Sequence, residues 1–113
     1  MNVRAKKVAS SFVKEISYII MEDIKDPDIK FVTLTGCDVT NDFSFATVYF
    51  TVLNKDRKEK TIEALNRAAN FIELELSKRI DIRKMPDITF KYDESIAYGE
   101  RIEQKIKEIN KEI

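Results

Sequence analysis

The spacing of apolar side chains switches between two periods along this chain, and that switching narrows the possible folds more than any single residue does. Val8, Phe12, Ile16, Ile19 and Ile20 recur every three or four positions, which lays one apolar stripe along a helix from Val3 to about Ile24. Asp26-Pro27-Asp28 then stops the helix, because proline lacks a backbone donor and biases the residue before it away from helical geometry. From Phe31 to Thr40 the pattern alternates, with Val32 and Leu34 on one face and Cys37 and Val39 resuming one residue out of phase. A bulge at Thr35-Gly36 returns them to the buried face. Asn41-Asp42-Phe43-Ser44 supplies turn residues. Ala46, Val48, Phe50 and Val52 then alternate with Phe45, Thr47, Tyr49 and Thr51, completing a hairpin.

Asn54 to Lys60 is polar and reads as a loop. A second helix is predicted from about Thr61 to Arg79, with Ile62, Leu65, Ala69, Ile72 and Leu76 facing inward, and this periodicity contains no break. Pro86-Asp87 leads into a third strand in which Ile88, Phe90 and Tyr92 share a face opposite Thr89 and Lys91. Ser95 is positioned to cap the next segment. There Ile102, Ile106, Ile109 and Ile113 recur at helical spacing, and whether that stripe docks or projects is left open. The expected architecture is therefore α+β: one domain over residues 1–95, a three-stranded sheet covered by helices, followed by a helical tail over 96–113.

Composition removes several functions. The chain of 113 residues carries twenty basic and twenty acidic side chains, so no global field selects a nucleic acid or a membrane. It has no histidine, which removes the commonest general base and the commonest neutral metal ligand. Cys37, the single cysteine, falls on the apolar phase of a strand and reads as a small core residue in a reducing, cytoplasmic setting. Two glycines, Gly36 and Gly99, cannot build a glycine-rich phosphate loop. Glu22, Asp23, Asp26 and Asp28, like Asp93-Glu94, lack metal-ligand spacing and read as solvated surface. No cofactor, metal, catalytic residue or membrane span is expected.

Local charge is more informative. Arg4, Lys6 and Lys7 open the first helix, and Lys78, Arg79, Arg83, Lys84 and Lys91 face only Asp81 and Asp87 between residues 78 and 91. Such clusters can neutralise phosphates. Cations at a helix C-terminus also complement its dipole, so composition alone does not choose between the two roles.

A resemblance adds to this. Ile24-Lys25-Asp26-Pro27, Phe31-Val32-Thr33-Leu34-Thr35, Ala46-Thr47-Val48-Tyr49, Ala64-Leu65-Asn66-Arg67-Ala68-Ala69, Leu76-Ser77-Lys78-Arg79-Ile80 and Pro86 through Ile96, with Gly99 and Arg101-Ile102, follow one another as they do in the ribosome-binding factor A family. Each segment is short, but their joint order over about residues 3 to 106 resembles that family specifically. The resemblance implies a K-homology-like domain of the bacterial type (type II), monomeric and non-catalytic. It implies binding to free small (30S) ribosomal subunits and their 16S rRNA, in support of late assembly and rRNA processing. It also implies a helix kink at Ala68-Ala69-Asn70 in place of the phosphate-clamping Gly-x-x-Gly loop. The RNA-binding set it implies is Arg4, Lys7, Arg67, Ala68, Asn70, Arg79, Arg83 and Lys84. Asp26-Pro27 and Asp93-Glu94-Ser95 read as architectural.

Two other function classes stand beside this one. A protein-interaction module could use an exposed strand edge or the Ile102 to Ile113 stripe without touching RNA. A small hydrolase or transferase on a ferredoxin-like sheet would need a nucleophile and base pair that the sequence does not display.

Overall fold

A computed structural model describes residues 1–29 and 31–95. Helix α1 spans Val3–Glu22 and starts where the Asn2 side chain accepts the Ala5 N–H at 2.8 Å, satisfying one of the unpaired donors of a helix start. It ends at Asp23, whose N–H donates to the Ile19 carbonyl, ahead of a short 3-10 turn at Pro27–Ile29. Its buried face is Ala5, Ala9, Phe12, Ile16 and Ile19. Val8 and Ile20 flank this face half-buried, so the true stripe includes two alanines that a search for large side chains passes over.

Strands β1 (Val32–Val39) and β2 (Phe45–Val52) pair antiparallel, and their register shifts between Leu34 and Gly36. Thr35 is the extra residue of the bulge expected there. Strand β3 (Asp87–Tyr92) lies parallel to β2, giving the order β1-β2-β3. Cys37, Val39, Ala46, Val48, Phe50, Ile88 and Phe90 line the buried face of the sheet against Phe12, Ile16, Leu65, Ile72 and Leu76 from the helices. Thr33, Thr47, Tyr49, Thr51, Thr89 and Lys91 occupy alternate positions on the other face.

The second helical region differs from its sequence reading in two ways. It begins three residues early, because a 3-10 turn at Lys55–Arg57 runs straight into helix α2 (Lys58–Arg67). It is also interrupted. Ala68 lies between α2 and α3 (Ala69–Arg79), and its N–H is shared by the Ala64 and Asn66 carbonyls. Both pieces pack on β3, but α2 also packs on the Pro27–Ile29 turn and α3 on α1. Leu65, Ala69 and Ile72 are buried in step across the break, which is why apolar spacing does not reveal it. The expected kink is present, but at Ala68 with ordinary right-handed dihedrals (φ −82°). Asn70 is inside α3 and has no positive φ.

Two side chains that flank the break reach the outer edge of β3. Asn66 Oδ1 accepts the Phe90 N–H at 3.2 Å, and Glu73 Oε1 accepts the Ile88 N–H at 2.9 Å. Edge donors that could have paired with another chain are thereby occupied. At the end of β3, Asp93 and not Ser95 acts as the cap, since the Asp93 carboxylate accepts the Ser95 N–H at 3.0 Å. The Ile102 to Ile113 stripe lies outside the described residues.

Candidate nucleic-acid interface

The turn between β1 and β2 gathers charge from two distant parts of the chain. Thr40 donates its hydroxyl to Asp42 at 2.8 Å, and Ser44 donates both its N–H and its hydroxyl to the same carboxylate. Those bonds, the Thr40 hydroxyl foremost, hold the Asp42 carboxyl below its ordinary pKa. Within the turn Phe43 takes φ = 60°, the only positive φ at a non-glycine residue among those described. That conformation is costly for a bulky side chain. The Phe43 ring packs on the core margin and the Arg4 guanidinium lies 5.5 Å from its centroid. The Asn2 N–H donates to Asn41 Oδ1 at 2.8 Å, and Lys84 Nζ approaches Ser44 Oγ at 3.3 Å.

The start of α1, the turn and the 80–86 connection thus form one end of the molecule. Arg4, Lys7, Arg83 and Lys84 are exposed there, and none of the four forms an ion pair with a described residue. Arg67 belongs elsewhere. It approaches Asp26 at 3.9 Å, beyond the C-terminal end of a 20-residue helix that is about 30 Å long. Ala68 and Asn70 lie with it. Arg79 is engaged by other side chains: its guanidinium is 3.0 Å from Asp23 and 3.7 Å from Glu15, joining α3 to α1. Seven of the eight positions singled out in the sequence therefore form two groups at opposite ends of α1, and the eighth, Arg79, clamps α3 to α1.

Sequence reasoning missed the residues that connect these groups. Lys14, Tyr18 and Lys25 are exposed along α1 and just beyond it, and Lys7, Lys14, Tyr18 and Met21 repeat every three, four or seven positions opposite Phe12, Ile16 and Ile19. The complement of the core stripe would have located them. Burial, and secondarily the charge of Asp38, pushes the Cys37 thiol up to about 12, and no group of three or more metal-binding side chains occurs among the described residues.

The sequence profile of the family described as Ribosome-binding factor A matches residues 4–106. The chain belongs to this family. A ribosome-binding factor A from Macrococcus caseolyticus (strain JCSC5402) is 44% identical over 113 residues, spanning 99% of each chain. The crystal structure of ribosome-binding factor A from Thermus thermophilus superposes with a TM-score of 0.71 at 20% identity, covering 78% of this chain and 94% of that one. A homology model of Thermus thermophilus ribosome binding factor A, fitted into a cryo-electron-microscopy map of a 30S complex with that factor, gives a TM-score of 0.66 at 20% identity over 77% and 92% of the two chains. As a member of this family, the chain has the α+β, K-homology-like fold that its sequence implied. Among its described residues no helix is long and apolar enough to cross a membrane.

Proposed function

We propose that this ribosome-binding factor A binds free small ribosomal subunits, contacts their 16S rRNA, and assists late assembly and rRNA processing in the cytoplasm by binding alone. The family match over residues 4–106 carries this reading, and the 30S complex of the Thermus thermophilus relative supports the choice of subunit. The geometry adds a route. Arg4, Lys7, Arg83 and Lys84 at the turn end neutralise phosphates, and Arg67 beside Ala68 and Asn70 offers a second contact about one α1 length away. Arg79 holds α1 and α3 in register between them. Residues 1–95 form the binding domain and 96–113 a separate tail.

Gradient sedimentation of the full chain tests the proposal. The protein should travel with free small subunits and little with assembled ribosomes, ribonuclease should release it, and cells lacking it should accumulate unprocessed 16S precursor. Arg83→Gln with Lys84→Gln should weaken co-sedimentation and reduce its salt dependence at unchanged stability. Ribonuclease-resistant binding would favour a protein platform instead.

A further inference from the structure

Beside the basic spine of α1 lies an apolar groove that no part of the proposal above uses. It encloses about 660 Å³ between the C-terminal half of α1 and the outer edge of β1, and Ile20, Ile24, Val32 and Leu34 line it, with Ser17 and Thr33 contributing hydroxyls. Among the described residues strand β1 pairs only with β2, and its outer row of backbone amides and carbonyls borders the opening. On the helix side Met21 is 77% exposed and Tyr18, one turn earlier, 42% exposed.

The charges around the groove are unequal. Lys7, Lys14, Tyr18 and Met21 fall within an arc of roughly 60° on α1, and Lys25 lines the groove just beyond the helix. Against these cations α1 and its C-cap carry Glu15, Glu22 and Asp23. Arg79 engages Glu15 and Asp23, and Arg67 approaches the Asp26 carboxylate on the groove rim. Among the described residues of α1 and its C-cap, Glu22 is the acid without a described ion pair, against three lysines. Asp26, the acid among the residues that line the cleft, is thereby offset by Arg67.

We infer that this groove binds unpaired RNA, with bases entering between Met21 and the β1 edge, Tyr18 offering a stacking surface, and Lys7, Lys14 and Lys25 meeting the backbone phosphates. Unstacked bases need what the site supplies: an apolar slot, an aromatic face, hydrogen-bonding edges and flanking cations. A duplex cannot enter, because its bases are already stacked inside. The inference rests on the small-subunit reading and extends it by specifying single-stranded rRNA and by placing the contact on α1 and β1, on the opposite edge of the sheet from β3.

The test titrates the full-length chain into a fluorescein-labelled ten-nucleotide single-stranded RNA of mixed sequence and into a duplex of equal length, at two salt concentrations. The single strand should bind several-fold more tightly. Tyr18→Ala should weaken it about tenfold, within the range for removing a stacking aromatic, and leave the salt slope unchanged. Lys14→Gln with Lys25→Gln should reduce that slope by about 1.4, or 0.7 for each lost phosphate contact on a single strand. Thermal melting checks that each variant is folded, which the exposure of all three side chains favours. Unchanged affinity in both variants, or no single-strand binding by the parent, overturns the inference. Parent co-sedimentation with small subunits, lost in Arg83→Gln/Lys84→Gln, leaves the broader function intact in that case. Tighter RNA binding in Ile106→Asp would assign the groove to the C-terminal segment, and a dimer dissociated by Met21→Asp would assign it to a second copy. Either result also overturns the inference.

Discussion

Arg79 donates to the Asp23 carboxylate across 3.0 Å, tying the last turn of α3 to the C-cap of α1, with Glu15 on its other nitrogen at 3.7 Å. All three side chains are about two-thirds to three-quarters buried, so water compensates only partly for a lost partner. Arg79→Gln should therefore cost about 1 kcal/mol in denaturant unfolding, whereas Arg83→Gln and Lys84→Gln should each stay within about 0.5 kcal/mol of the parent. Equal losses in all three would show that the helix clamp carries no stability.

The outer edge of β3 offers a second measurement. Asn66→Ala removes the acceptor of the Phe90 N–H, and an orphaned, partly buried donor costs about 1 kcal/mol or more. Hydrogen exchange at the Phe90 amide should accelerate selectively. Unaltered protection there would mean that another group takes the place of Asn66.

Asn70 separates a kink held by a special backbone conformation from one produced by packing. Because Asn70 has a right-handed conformation within α3, Asn70→Gly should lower stability by a few tenths of a kcal/mol, the difference in helix propensity. A gain in stability would place a left-handed residue at the break.

Gly36 sits at the β1 bulge without a positive φ, and a Cβ added there meets nothing within 4 Å. Gly36→Ala should leave stability unchanged or raise it by up to about 1 kcal/mol, through a less disordered unfolded chain. A loss above about 1 kcal/mol in urea melting would mean that the bulge itself demands glycine.

Cys37 provides a pH dependence. Its thiol titrates near 12 when folded, against 9.0 for an unperturbed thiol, so the folded state holds this proton more tightly than the unfolded state does. The corresponding stability is complete below about pH 9 and is lost as pH rises from there toward 12. Cys37→Ala should flatten that part of the stability profile, and in the parent at about pH 8, below the unperturbed thiol's titration, a thiol reagent should label Cys37 only as fast as the protein opens. Rapid labelling of the native protein would place the thiol at the surface.

Most of the element order was legible in the sequence because burial imposes a period. Phe12, Ile16 and Ile19 announce α1, the slip between Leu34 and Cys37 announces the bulge, and Ile88 and Phe90 announce β3. Apolar spacing has no means of reporting what keeps its phase: Leu65, Ala69 and Ile72 continue in step across Ala68, so only the collinear family segments pointed to a break. Composition also narrowed the candidate chemistry, since a chain without histidine lacks the commonest general base.

The site divides along the same line. That Arg4, Lys7, Arg67, Arg79, Arg83 and Lys84 are candidate phosphate ligands follows from residue type and clustering along the chain. Which of them share a surface does not, because a hairpin turn brings Lys84 to Ser44 and Arg4 to Phe43, while Arg79 is drawn inward by Glu15 and Asp23. Local periodicity determined the helices, the strands and the buried faces, because each depends on neighbours a few residues away. Tertiary structure alone decided which cations remain free, where the groove lies and how the edge of β3 is closed, because those depend on pairings between residues far apart in sequence.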